Sequence, residues 1–142
     1  MSRLVFVDTW GWLALGHRAD ANHEAVKEVF RTRQVAPALL HTSDYVLDEL
    51  ITLLFRRETH EEASTFLDGL LADQVAGRLL IHRVTGERFL AALGLRRRFH
   101  DKPLISFTDL TSMSIMTELD IREVLSGDEH FLHVGMGFQR IP

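Results

Sequence analysis

The stretch Leu4-Val5-Phe6-Val7-Asp8-Thr9-Trp10-Gly11-Trp12 decides how the rest of the chain is read. A continuous apolar run of this kind fits a buried parallel strand, here over residues 4–7. An aspartate follows it at once. In open α/β sheets, sites lie at the carboxyl ends of strands, so Asp8 stands where a functional carboxylate belongs. Its plainer role would be to cap the short helix expected over 10–15.

Outward from this point, strands and helices alternate. Asn22 is placed to cap a helix whose Ala25, Val26, Val29 and Phe30 form one apolar stripe. Residues 35–40 read as a strand. Ser43 opens a helix with Val46, Leu47, Leu50, Ile51 and Leu54 inward, and Thr59 with Glu62 makes a capping box for the next. That helix carries Ala63, Phe66, Leu67, Leu70 and Leu71. A strand is expected over 79–84, and a helix from Thr85 to about Arg97. A strand-like segment over 104–107 leads to a helix from near Thr108, with Met113 and Met116 in the core. Val124-Leu125 reads as a brief strand and residues 138–141 as a last one. The alternation predicts an α/β fold: a three-layer α/β/α domain with a central parallel sheet, spanning 1–142 as a single unit.

Composition narrows the function. The chain has 142 residues, 46% of them apolar, enough for one core. It has no cysteine, which excludes disulfides and thiolate zinc sites. No run approaches a membrane span, and residues 1–7 lack the apolar stretch of a secretion signal. A cytoplasmic location is therefore expected. Net charge is −4, from 16 basic and 20 acidic residues, whereas binding nucleic acid by charge alone calls for a basic protein. If RNA is the substrate, bound cations must neutralise part of that charge. The lysines are Lys27 and Lys102 alone; the other basic residues are arginines, which suit bidentate phosphate contacts. Arg96-Arg97-Arg98 nevertheless reads first as a solvated helix end.

Two further aspartates occupy positions like that of Asp8. Asp109 follows Ile105-Ser106-Phe107-Thr108, and Asp128 follows Val124-Leu125-Ser126-Gly127. If the three preceding segments are neighbouring parallel strands, the acids converge at one sheet edge. Glu49 lies within a helix, at the border of its apolar stripe beside Tyr45, Val46 and Leu53. Asp48 lines up with Asp44, Thr52 and Arg56 on the wet face, so Glu49 is the inward acid of the two. Singly, each has a structural reading: caps for Asp8 and Asp128, a helix dipole for Asp109, an arginine partner for Glu49. Gathered together, they are costly unless protonated or bridged by a cation. Oxygen ligands alone select hard ions, Mg²⁺ or Mn²⁺.

These residues resemble the motifs of PIN domains. Val7-Asp8-Thr9-x-x-Trp12 is similar to the family's opening motif, and Thr42-Ser43 with Asp48-Glu49-Leu50 to the helix that supplies its glutamate. Ser106-Phe107-Thr108-Asp109 resembles the third acidic segment, and Leu125-Ser126-Gly127-Asp128-Glu129-His130-Phe131 with Gly137-Phe138 the closing one. The resemblance implies a metal-dependent endoribonuclease whose Asp8, Glu49, Asp109 and Asp128 hold Mg²⁺ or Mn²⁺, with Thr9 and Thr108 adding hydroxyl contacts. Short members are similar to the toxins of VapBC toxin–antitoxin pairs, which implies an RNA substrate, a cognate antitoxin and a homodimer. Many members carry a further acid two residues after the last aspartate, where this chain has His130. Here His130 and His133 read as surface histidines, and Trp10 and Trp12 as packing residues.

Other readings stay open. A non-toxin RNA-processing nuclease carries the same acids, and a catalytically silent PIN-like module would bind RNA or protein without cutting. A phosphoaspartate enzyme of the haloacid-dehalogenase type needs a second acid two residues after the first, where Trp10 stands. A response-regulator receiver needs paired early acids and a lysine after a late strand, and Lys102 is poorly placed for that.

Overall fold

The first strand is β1 (Val5–Val7), whose three side chains are fully buried, as a strand covered on both faces requires. The computed structural model describes residues 3–142, so the first two residues of the expected domain lie outside the described residues. Along the chain follow α1 (Thr9–Gly16), α2 (His23–Arg33), β2 (Leu40–Ser43), α3 (Asp44–Arg57) and α4 (His60–Val75). Then come β3 (Leu79–His82), α5 (Gly86–Arg98), α6 (Phe107–Leu119), β4 (Glu123–Leu125), α7 (His130–His133) and β5 (Gln139–Ile141). The sheet runs β3-β2-β1-β4-β5, and every pairing in it is parallel. Among the described residues seven helices flank it, giving the expected α/β/α architecture.

This strand order places the switch point at β1. The chain leaves β1 for β2 and β3 on one side, then returns through α5 and α6 to lay β4 on the other. A crevice at the carboxyl ends of β1 and β4 is the consequence.

Two segments differ from expectation. The strand expected over 35–40 begins only at Leu40 and runs on through Ser43. Pro37 has no N–H for the ladder, and β1 sets the register by pairing Val5 with Leu40 and Phe6 with His41. Residues 104–107 form no strand. Ile105 is buried as an anchor, Ser106 is the N-cap of α6, and Phe107 is already helical. The helix starts read at Ser43, Thr59 and Thr85 hold, and Ser106 caps α6 in the same way; each accepts a bond from a backbone N–H three residues on. Asn22 occupies the N-cap of α2 without a side-chain bond. Val46, Leu50 and Leu54 of α3 are in the core, but Ile51 is exposed, as is Leu71 of α4.

Close approach of α1 to β4 depends on one glycine. A Cβ added at Gly11 would lie 2.7 Å from the Leu125 carbonyl oxygen and 2.9 Å from Leu125 Cγ. The first of these is backbone of a central strand and cannot turn aside. Gly11→Ala is therefore expected to destabilise the protein by about 1–3 kcal/mol, as overpacked core positions do. Urea unfolding of the two proteins side by side would check this; equal midpoints would show that α1 can shift freely from β4.

Candidate active site

The register of β1 and β4 builds the first half of the site. Val7 is paired with Leu125, so Asp8 and Ser126 leave the sheet side by side. Asp8 is the N-cap of α1, and its Oδ1 accepts from the Gly11 N–H at 3.1 Å. The Ser126 hydroxyl also hydrogen-bonds the Asp8 carboxylate, and its oxygen accepts from the Asp128 N–H at 2.9 Å. One buried hydroxyl thus ties both aspartates together. Thr42, at the end of β2, braces the other side. Its Oγ1 donates to the Val7 carbonyl at 2.9 Å and accepts from Trp12 Nε1 at 3.1 Å.

Packing fixes the turn that carries Asp128. Trp10 lies over Gly127, where a Cβ would come within 2.3 Å of the indole Nε1. Arg140 of β5 donates to the Gly127 carbonyl at 2.9 Å. Asp128 Oδ1 then accepts from the His130 N–H at 2.8 Å, opening α7. Both tryptophans serve packing: Trp12 is buried against Phe30, with ring centroids 5.2 Å apart.

Asp109 reaches the site by another route than the one expected. It sits in the first turn of α6, not after a strand. Arg96 sets where that turn begins. Its guanidinium donates to the carbonyls of Phe99, Lys102 and Ile105 at 2.6–2.7 Å, clasping the loop over 99–105. Of the arginine run, only Arg97 and Arg98 are exposed. Glu49 is half-buried while Asp48 is exposed, as the helical phase of α3 predicts.

The four acids feel one another. Burial pushes the Asp8 carboxyl up to about 7, against the bonds from Ser126 and Gly11, and repulsion from Asp128 and Glu49 adds to the rise. Burial likewise pushes Asp109 up to about 8, followed by a hydrogen bond with Asp128 and repulsion from Asp128, Asp8 and Glu49. Among the described residues no arginine or lysine pairs with any of the four, so the arginine partner considered for Glu49 is not there. The group near them is His130. Its Nδ1 lies 3.1 Å from Asp128 Oδ1 and 3.7 Å from Asp109 Oδ2. Ligand atoms of Asp109, Asp128 and His130 all fall within 4.8 Å of one another.

The expected acids are thus together at the carboxyl edge of β1 and β4. Glu49 and Asp8 border the tighter Asp109–Asp128–His130 group. Thr9 is buried beside Asp8, and Thr108 is half-buried before Asp109. His130 is not the surface residue expected; being two residues after Asp128 on a new helix turns it back to the acids. Ser126 carried no role in the sequence reading. Its one signal was a small hydroxyl between a strand and an aspartate.

Fold and site define a class. A PIN domain model matches residues 5–136, and the chain belongs to the PIN domain family. It is similar to the 23S rRNA-specific endonuclease VapC20 of Mycobacterium tuberculosis, at 32% identity over 132 residues, covering 93% of this chain and 95% of that protein. The crystal structure of that relative, called a sarcin–ricin loop cleaving toxin, superposes with a TM-score of 0.77 at 31% identity, covering 92% of this chain and 95% of that one. VapBC2 of Rickettsia felis, solved bound to a promoter DNA fragment, shares the fold at a TM-score of 0.74 and 16% identity, over 98% of this chain and 99% of that one.

The raised carboxyls have a consequence for stability. An acid whose folded pKa exceeds its unfolded value binds its proton more tightly when folded. Stability is then highest below about pH 4 as far as these groups are concerned, and falls as pH rises through the folded values near 7 and 8. Asp109→Asn is expected to stabilise the metal-free protein by about 1–2 kcal/mol at pH 8 and by much less at pH 5. Denaturant unfolding at the two pH values would show it. A gain of equal size at both would mean that repulsion is not its source.

Proposed function

We propose that this protein is a metal-dependent endoribonuclease, the toxin of a toxin–antitoxin pair. The observation that carries the proposal is the gathering of Asp8, Glu49, Asp109 and Asp128 around one edge with, among the described residues, no arginine or lysine paired to them. The donor set suits Mg²⁺ or Mn²⁺: carboxylate oxygens from four segments, two of them pushed toward neutrality by burial and mutual repulsion. Asp8, Glu49, Asp109 and Asp128 would hold the ion. When bound, divalent ions supply positive charge to a phosphodiester and acidify water for in-line attack.

The chain's own residues do the positioning. Ser126 and the Gly11 N–H orient Asp8, and the His130 N–H orients Asp128. The Arg96 clasp sets the start of α6 and so the place of Asp109. None of these carboxylates need act as a nucleophile.

Similarity along nearly the whole chain to a 23S rRNA-specific endonuclease supports RNA as substrate, and ribosomal RNA as the first one to try. The same likeness supports a cognate antitoxin. The proposal also includes a homodimer, which light scattering of the purified protein would test. A toxin acting on ribosomal RNA works in the cytoplasm, and among the described residues no helix is long and apolar enough to cross a membrane.

Asp8→Asn is expected to lower cleavage about 10³-fold or more, since it removes a carboxylate that fixes the ion. Excess EDTA should stop the wild type as well. Cleavage of 23S rRNA by antitoxin-free protein in Mg²⁺ and in Mn²⁺, mapped by primer extension, is the measurement. Unimpaired cutting by a folded Asp8→Asn protein would remove Asp8 from the reaction. No cutting by folded wild type would favour a binding module.

A further inference from the structure

His130 begins α7, and its place is fixed twice. Its backbone N–H is bound to Asp128 Oδ1 at 2.8 Å, and its ring lies edge-on to His133 with centroids 6.4 Å apart. The ring nitrogen Nδ1 is buried and makes no hydrogen bond. Instead it faces two carboxylate oxygens, Asp128 Oδ1 at 3.1 Å and Asp109 Oδ2 at 3.7 Å. A buried polar atom without a partner is costly, and such atoms call for an explanation. Two acidic oxygens and one imidazole nitrogen within 4.8 Å of one another form one face of a coordination shell.

An imidazole differs from a further carboxylate in two ways. It brings no negative charge, and its nitrogen is a softer donor. Mg²⁺ strongly prefers oxygen ligands, whereas imidazole is well suited to transition-metal ions. We infer that His130 Nδ1 is itself a ligand of the ion held by Asp109 and Asp128, and that this nitrogen biases the site toward Mn²⁺ over Mg²⁺. The inference rests on the metal-site reading above and adds to it a residue and an ion preference.

Direct binding separates the two claims. Mn²⁺ and Mg²⁺ are titrated calorimetrically into the full chain, its His130→Gln variant and its Asp128→Asn variant, with folding checked by circular dichroism. His130→Gln should weaken Mn²⁺ binding about tenfold or more and shift Mg²⁺ binding far less, whereas Asp128→Asn should weaken both. Pulsed electron paramagnetic resonance of Mn²⁺ on the wild type should show ¹⁴N coupling from the imidazole. That spectrum stands even if His130→Gln fails to fold. Mn²⁺ bound to the wild type without nitrogen coupling overturns the role of His130 and leaves the carboxylate site intact. Failure of both ions to bind wild-type protein removes the metal-site reading and this inference with it.

Discussion

Asp8 and Ser126 leave the sheet as neighbours because Val7 and Leu125 are paired, and much of the site depends on that register. A shift of one residue would turn every side chain of the strand to the opposite face. It would part Asp8 from the hydroxyl that holds it and that also receives the Asp128 N–H. Several contacts guard against such a shift. Gly11 lets α1 lie against Leu125, Trp10 fills the space over Gly127, and Thr42 binds both the Val7 carbonyl and the Trp12 indole. Core packing and site geometry are here the same set of contacts.

The electrostatics run against folding. Carboxylates buried close together raise one another's pKa and lower stability at neutral pH. Several arginines are paired with other acids: Arg33 with Glu123, Arg78 with Asp73 and Arg88 with Glu118. Among the described residues the four acids are thus left without a paired arginine or lysine. On the proposed function, a chain of net charge −4 would face a polyanion, and one bound cation would both relieve internal repulsion and attract the phosphate.

Much of this was legible in the sequence because it follows from local rules. An apolar run ending in an aspartate gave β1 and Asp8, and helical phase separated Glu49 from Asp48. Capping hydroxyls located the starts of α3, α4 and α5. What was not legible depends on tertiary partners. The run over 35–40 has strand composition, but Pro37 and the pairing to β1 move the strand to Leu40–Ser43. The segment over 104–107 looks like a strand, yet it has no neighbour to pair with, and Arg96 holds it as a loop. The arginine run looked wet because nothing in the sequence announces three carbonyls waiting for one guanidinium. His130 looked like a surface residue because its distance from Asp109 is 21 positions along the chain and one side-chain contact in space.

Delivery of Asp109 by a helix rather than a strand changes how the site can respond. Asp8 and Asp128 follow strands bonded on both sides, so their separation is set by the ladder. Asp109 is set by α6, whose first turn is steered by the loop that Arg96 clasps. The amino end of a helix favours a negative charge, yet burial and the other acids outweigh it, and the carboxyl is pushed up to about 8. Burial and the neighbouring acids thus hold the Asp109 carboxyl toward its neutral form, within hydrogen-bonding reach of Asp128. Positive charge bound beside Asp109 would offset that repulsion and bring its pKa down, so the charge state of this acid depends on what the site binds.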